Sequence, residues 1–146
     1  MGLTLNTLDE IKVFPLKIID VDGGDVMHGF RKSDNGFIDF GEAYFSWINY
    51  FSIKGWKKHL HMTMNLIVPV GEVKFVFYCE KKKEFRVEKI GNTRYSRIQV
   101  PPGIWFGFMG CHDPKSLILN IASCEHDPEE VLRFNIDEIN FNWEEK

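Results

Sequence analysis

The sequence predicts an all-β fold, a sandwich or barrel of short strands, on three observations. The apolar and alternating segments are rich in β-branched and aromatic residues, and none carries a 3.6-residue stripe over ten or more positions. Turn-forming pairs separate them at close spacing. Only one short segment reads as a helix.

In chain order the strand candidates are 11–19 (IKVFPLKII), 44–53 (YFSWINYFSI), 60–70 (LHMTMNLIVPV), 73–79 (VKFVFYC), 94–100 (RYSRIQV) and 116–122 (SLILNIA). The turn signals are Asp22-Gly23-Gly24, Asp34-Asn35-Gly36, Gly91-Asn92, Pro101-Pro102-Gly103 and Asp113-Pro114, and Lys81-Lys82-Lys83 reads as a solvated hairpin turn. The helical candidate is Pro128 to Phe134, with Asp127 as N-cap and Pro128 at the first position, where a missing N–H costs nothing. Short strands at such spacing favour a sandwich or barrel. No repeat, linker or low-complexity tract interrupts them, so residues 1–146 read as a single domain.

Composition sets bounds on function. Hydrophobic residues make up 44% and charged residues 27%, a globular balance. Aromatics at 14% supply bulk for a core and for a ring-lined pocket. With 18 Lys and Arg against 21 Asp and Glu, the net charge of −3 argues against a nucleic-acid partner, although a local basic patch still suits a phosphate. Cys79, Cys111 and Cys124 are too far apart for a C-x-x-C pair, which argues against a disulfide framework or a cysteine zinc site. The start, MGLTLNTLDE, lacks a basic n-region and an apolar h-region, and Asn6 stands where myristoylation needs Ser or Thr. No apolar run is long enough to span a bilayer as a helix, so a cytoplasmic protein without a membrane partner is expected.

Most of the chemistry falls in 56–70. Read as one strand, its even positions Leu60, Met62, Met64, Leu66 and Val68 form an apolar face. The odd positions Lys57, His59, His61, Thr63 and Asn65 form a polar one, solvated in an open sheet but partly desolvated inside a barrel. A second region, 98–108 (IQVPPGIWFGF), places a rigid turn before the aromatic run Trp105, Phe106 and Phe108, which suits a core or a pocket wall.

KGWKKHLHMTMNLIVPVG (54–71) followed by VPPGIWFGF (100–108) resembles the cupin family of sugar-nucleotide epimerases and ketoisomerases (RmlC-like). GGDVMHGFRK (23–32), FGEAYFS (40–46) and DPEEVLRFNIDEINFNW (127–143) extend the likeness over residues 11–143. The resemblance implies a cupin jelly-roll β-barrel and a homodimer. It implies a diphosphate contact at Lys54. Where the epimerases carry a histidine base this chain has Lys57, and His59 matches the second of two ketoisomerase histidines. Met64 and Asn120 occupy the positions of the family's lysine and tyrosine. His59-x-His61 resembles the first metal motif of other cupins, with Asn65 at its carboxylate and Phe106 at its third histidine, a poor set for a transition metal.

The implied reaction is proton abstraction next to the keto group of a nucleotide-linked sugar, such as a dTDP-linked 4-keto-6-deoxysugar, with no cofactor and no metal. It needs a base near neutral pKa, a group to stabilise the enolate and an acid to return the proton. His59 is the candidate base, Lys57 an enolate stabiliser or second base, and His61 a relay. Tyr44, Tyr50 and Tyr78 are the candidate acids. Lys54, Lys58, Asn65, Arg94, Trp105 and Asn120 are the candidate substrate contacts, with Arg31 and Arg97 as further cations. Two other readings stand beside it: a non-catalytic cupin that binds a sugar nucleotide or glycan as a sensor or accessory subunit, and a metal-dependent cupin.

Overall fold

A computed structural model describes residues 7–144. Twelve strands follow one another: β1 Lys12–Pro15, β2 Ile18–Ile19, β3 Val26–Met27, β4 Glu42–Asn49, β5 Ile53–His59 and β6 Met64–Val70, then β7 Glu72–Cys79, β8 Glu84–Gly91, β9 Ser96–Val100, β10 Trp105–Gly110, β11 Lys115–Ala122 and β12 Val131–Arg133. They form two five-stranded antiparallel sheets, β1-β9-β6-β11-β4 and β12-β5-β10-β7-β8, with β2-β3 as a separate hairpin. Sequence neighbours such as β5 and β6 lie in different sheets, the interleaved order of a jelly roll. This is the RmlC-like cupin architecture. Among the described residues no helix is long and apolar enough to cross a membrane, and the reading of the N-terminus at Asn6 lies outside them.

The core lies between the inner faces of the two sheets. Met64, Leu66 and Val68 of β6 meet Val73, Phe75 and Phe77 of β7, with Ile98, Ile118 and Phe106 closing the cluster. Phe75 and Phe77 are fully buried, each contributing about 2–3 kcal/mol by the area it removes from water. A second cluster, Trp56, Val76, Trp105, Ile139 and Trp143, covers the outer face of the second sheet under the C-terminal segment. Pro15 sits on the edge strand β1, where its missing N–H breaks no ladder. Gly71 joins β6 to β7 at φ +88°, and a Cβ there would lie 2.2 Å from Ser116 Oγ.

Several sequence boundaries move. The 44–53 segment is two strands, because the chain turns at 50–52 with Phe51 at φ +64° and Ser52 N–H bonded to Asn49 C=O. The 11–19 segment likewise splits into β1 and β2. β8 and β10 went unmarked: β8 carries four charged residues among Phe85, Val87 and Ile90, and β10 carries two glycines. The helix expected over Pro128 to Phe134 is one 3₁₀ turn, Pro128–Glu130, followed by β12. Its cap is as expected, with the Asp127 carboxylate accepting from the Glu129 N–H. Pairing of Val131–Arg133 with β5 prevails over the short helix.

The largest correction concerns 56–70. The chain leaves β5 at His59, turns through 60–63 and enters the other sheet as β6. The alternation therefore does not run through. Lys57 and His59 of β5 and the even residues of β6 all face inward, while Leu60 is exposed and Asn65 points to the outer side of its sheet.

Candidate active site

The inner face of β5 is built by a bulge. Facing β10, Lys57 pairs with Phe106 and Lys54 pairs with Phe108, and the register shifts between them at Phe106/Gly107. Residues three apart on a regular strand point to opposite faces; the one extra residue on β5 puts Lys54 and Lys57 on the same one. Directly paired residues share a face, so both lysines lie on the side of Phe106 and Phe108, the barrel interior. On the other edge of β5, Arg133 of β12 pairs with Lys57. The result is a cavity of about 390 Å3 whose wall includes Ser46 of β4, Lys54, Lys57, Phe106, Phe108 and Arg133 and, among the described residues, no acidic side chain. A neighbouring groove of about 490 Å3 shares Lys57 and Arg133 and runs toward Asn135 and Glu138.

Lys57 is held below the ordinary lysine range, first by partial desolvation and then by the positive charges of Arg133 and Lys54. The residue as a whole is nonetheless solvent-exposed, so its amine is only partly desolvated. Lys54, by contrast, donates from Nζ to Trp47 C=O at 2.9 Å.

His59 lies one strand period beyond Lys57. Its ring is buried and stacked on Phe106 at 5.8 Å between centroids. His59 Nδ1 is hydrogen-bonded to Glu130 Oε1. Glu130 is itself buried, and its Oε2 accepts from the backbone N–H groups of His61 and Met62, both at 3.1 Å. Burial works against the Glu130 carboxylate, yet these three donors together hold it below the usual range. Burial also pushes the His59 imidazole down, outweighing the opposite pull of Glu130, and Lys57 adds to the downward shift. The consistent state is a neutral imidazole that donates from Nδ1 to a carboxylate. No described residue hydrogen-bonds Nε2, so its lone pair stays available.

Tyr44 and Asn120 also meet. They pair across β4 and β11, and Asn120 Nδ2 donates to Tyr44 Oη at 3.0 Å. Asn120 is buried, and its Oδ1 accepts from the Asn65 N–H at 3.2 Å. Tyr44 lies one strand period from Ser46 on the same face of β4.

The structure does not bring the other candidates to this cleft. Asn65 faces the outside of its sheet, where its Oδ1 accepts from Arg97 at 2.6 Å; the broken alternation put it there. Tyr78 and Trp105 pair with each other on the outer face of the second sheet, where Tyr78 packs on Phe85. Lys58, also on that face, donates to Glu80 at 3.1 Å and lies over Trp105. Arg94 is held by Glu88 near the β8–β9 turn. His61 is exposed in the turn after β5 rather than on the strand, and Tyr50 stacks on Phe51 at the β4–β5 turn. Arg97 is buried between the rings of Phe14 and Phe30, and Arg31 pairs with Asp34 at 3.1 Å. Among the described residues no three His, Cys, Asp or Glu side chains gather as a metal site.

Sequence reasoning missed Glu130 and Arg133. A glycine inside a strand, Gly55, was the one local signal of the bulge. Nothing local marks Glu130, which reaches His59 across 71 positions.

No protein-family model matches the chain, and no curated protein matches it. Solved structures do. A dTDP sugar isomerase from Desulfovibrio desulfuricans G20 is 31% identical, with a TM-score of 0.87 over 92% of this chain and 91% of that one. A sugar 3,4-ketoisomerase from Thermoanaerobacterium thermosaccharolyticum, in complex with TDP, is 19% identical, with a TM-score of 0.75 over 91% and 93%. A dTDP-4-dehydrorhamnose 3,5-epimerase from Bacillus anthracis str. Ames, with TDP and PPi bound, is 15% identical, with a TM-score of 0.80 over 98% and 90%.

Proposed function

We propose, from the premise that this chain belongs to the RmlC-like cupin family of sugar-nucleotide epimerases and ketoisomerases, that it is an isomerase acting on a nucleotide-linked 4-keto-6-deoxysugar. It removes a proton from a carbon beside the keto group. The observation that carries this reading is the inward cavity lined by Lys54, Lys57 and Arg133, with a neutral His59 held by Glu130 one strand period beyond Lys57 on the same face. The similarity to a dTDP sugar isomerase supports a dTDP-linked substrate. Deoxysugar or surface-polysaccharide synthesis in the cytoplasm is the setting such a substrate implies.

Each residue has a task in this reading. His59 Nε2 takes the proton, and Glu130 fixes the tautomer that leaves Nε2 free and steadies the imidazolium that forms. Lys57 faces the carbonyl carbon and oxygen; a donor placed on a developing oxyanion lowers a barrier by about 3–4 kcal/mol. Tyr44, on the facing strand, returns the proton. Lys54 and Arg133 receive the diphosphate, with Arg133 able to bind it bidentately. Phe106 and Phe108 keep the reacting carbons dry.

The exposed Phe45 and Trp47 of β4, across from Leu119 and Leu117 of β11, form an apolar outer face. It supports a homodimer, and sedimentation at micromolar concentration should give twice the chain mass, reverting to one on Phe45→Asp.

The test of the activity is proton NMR in D2O with dTDP-4-keto-6-deoxyglucose. Loss of the C3 or C5 proton signal is expected, and its position separates a 3-epimerase or 3,4-ketoisomerase from a 3,5-epimerase. No exchange, with line broadening that reports binding, would sink the isomerase reading in favour of a non-catalytic sugar-nucleotide binder.

A further inference from the structure

We propose that Lys57 acts as a nucleophile, its Nζ forming an imine with the keto carbon of the sugar, so that His59 removes the neighbouring proton from a protonated imine rather than from a free ketone. This rests on the isomerase reading and goes beyond it by adding a covalent step.

The first support is placement. Lys57 stands on the wall of the cavity between Phe106 on one neighbouring strand and Arg133 on the other. The β5 bulge that aims Lys54 inward leaves Lys57 there too, so the amine is offered to whatever fills the cleft.

The second is what Lys57 lacks. Among the described residues no hydrogen bond or ion pair engages its Nζ, whereas Lys54 is tied to Trp47 C=O and Lys58 to Glu80. The charges acting on it, Arg133 and Lys54, are both positive, and among the described residues no carboxylate lines this cavity, Glu138 lying in the neighbouring groove. A lysine meant as a lasting cation gains from a carboxylate beside it. An exposed lysine that is partly desolvated beside other cations is still shifted toward the free amine, which is the form that attacks a carbonyl.

The third is division of labour. An amine committed to the keto carbon cannot also take the C–H proton, and the His59–Glu130 pair on the same face supplies a separate base. The chemistry balances without an added reagent. The Nζ lone pair bonds to C4, the carbonyl oxygen takes one proton from that nitrogen and a second from solvent, and it leaves as water to give the protonated imine. His59 takes the proton from the adjacent carbon; that C–H pair becomes the C=C bond of an enamine, and the C=N pair returns to nitrogen. Return of a proton to carbon restores the imine, and one water hydrolyses it to ketone and free amine. One water is released and one consumed.

The experiment treats the full chain with dTDP-4-keto-6-deoxyglucose and sodium cyanoborohydride, which reduces an imine in preference to a ketone. Peptide mapping by mass spectrometry locates any adduct, and parallel NMR in D2O without reductant follows exchange. The expected result is an adduct of the substrate mass less one oxygen on the peptide that carries Lys57. Lys57→Arg keeps the cation at an open position but cannot form an imine. It should lose the adduct, and exchange should fall by about 100-fold or more. Exchange in the wild type without an adduct, an adduct that maps to Lys54, or a Lys57→Arg protein that exchanges normally would each overturn the imine while leaving the isomerase reading intact. A wild type that neither exchanges nor forms the adduct would overturn both.

Discussion

The second sheet carries two aromatic, lysine-bearing faces that have been put to opposite uses. On its outer face Trp56 Nε1 donates to Ile136 C=O, Trp105 Nε1 donates to Glu80, and Lys58 completes the group by pairing with the same carboxylate. The Trp105 hydrogen bond, with Lys58 behind it, holds Glu80 below the usual carboxylate range. Trp143 Nε1 is the one buried side-chain nitrogen on that face without a partner among the described residues. On the inner face Phe106 and Phe108 stand beside Lys57 and Arg133, and among the described residues no carboxylate pairs with either cation or lines their cavity. A face that satisfies its charges stabilises the fold; a face that leaves like charges together in a cavity costs stability and gains chemistry.

The comparison breaks first at its two strongest points. His59→Gln should lower kcat/KM by about 1000-fold, because the amide can still donate to Glu130 but cannot take a proton. Its melting temperature should stay near that of the wild type. Trp143→Ala should do the reverse, costing about 3 kcal/mol of stability while the folded fraction keeps its exchange rate. The cost falls at the lower end for a buried Trp, because the unpartnered Nε1 gives up no hydrogen bond. Denaturant titration alongside NMR exchange reads both, and a Trp143→Ala protein that folds well but loses exchange would erase the distinction between the faces.

Glu130→Gln sharpens the inner side. Activity should fall by about 100-fold because the tautomer of His59 is no longer enforced. Glu130 raises the His59 pKa through its hydrogen bond and charge, against the larger downward effect of burial. Without that charge the imidazole drops further, so the acid limb of the kcat/KM profile, already below 6.5, should move to lower pH. Stability has its own sign. His59 and Glu130 both bind protons less readily folded than unfolded, so stability is lost as pH falls, first below about 6.5 and again below about 4.5. The second step should shrink in Glu130→Gln, leaving the part that Glu80 and Glu88, also held below the usual range, contribute, and thermal melts across pH 3–8 would show it.

These tests rest on residues that were unequally legible in the sequence. The all-β class followed from period-2 runs and turn pairs, because both signals are local. Lys57 and His59 were legible as a group for the same reason, whereas Lys54 came from the family resemblance, because only the β5 bulge sets it on their face. His61 and Asn65 were assigned to that group because the 56–70 alternation hides the passage from one sheet to the other at 60–63. Tyr78, Trp105 and Lys58 were misplaced because a sheet's inner and outer faces look alike when both are aromatic. Glu130 and Arg133 belong to a segment whose local signals favour a helix, and only pairing with β5 brings them to the cleft.

The smallest effect tests the outer face from its polar side. Lys58 is neighbour in sequence to Lys57 and carries the same charge, so sequence alone gives no reason to treat them differently. In the structure its Nζ is 3.1 Å from Glu80 and 5.1 Å from the centre of the Trp105 ring. Glu80 is largely exposed, and a solvated pair of this kind is worth about 0.5 kcal/mol, with a similar contribution from the ring contact. Lys58→Ala should therefore lower stability by no more than about 1 kcal/mol and leave both exchange and the cyanoborohydride adduct at wild-type levels. A Lys58→Ala protein with a tenfold higher KM would mean that the diphosphate reaches the outer face and that the strand's alternation does not separate binding from support.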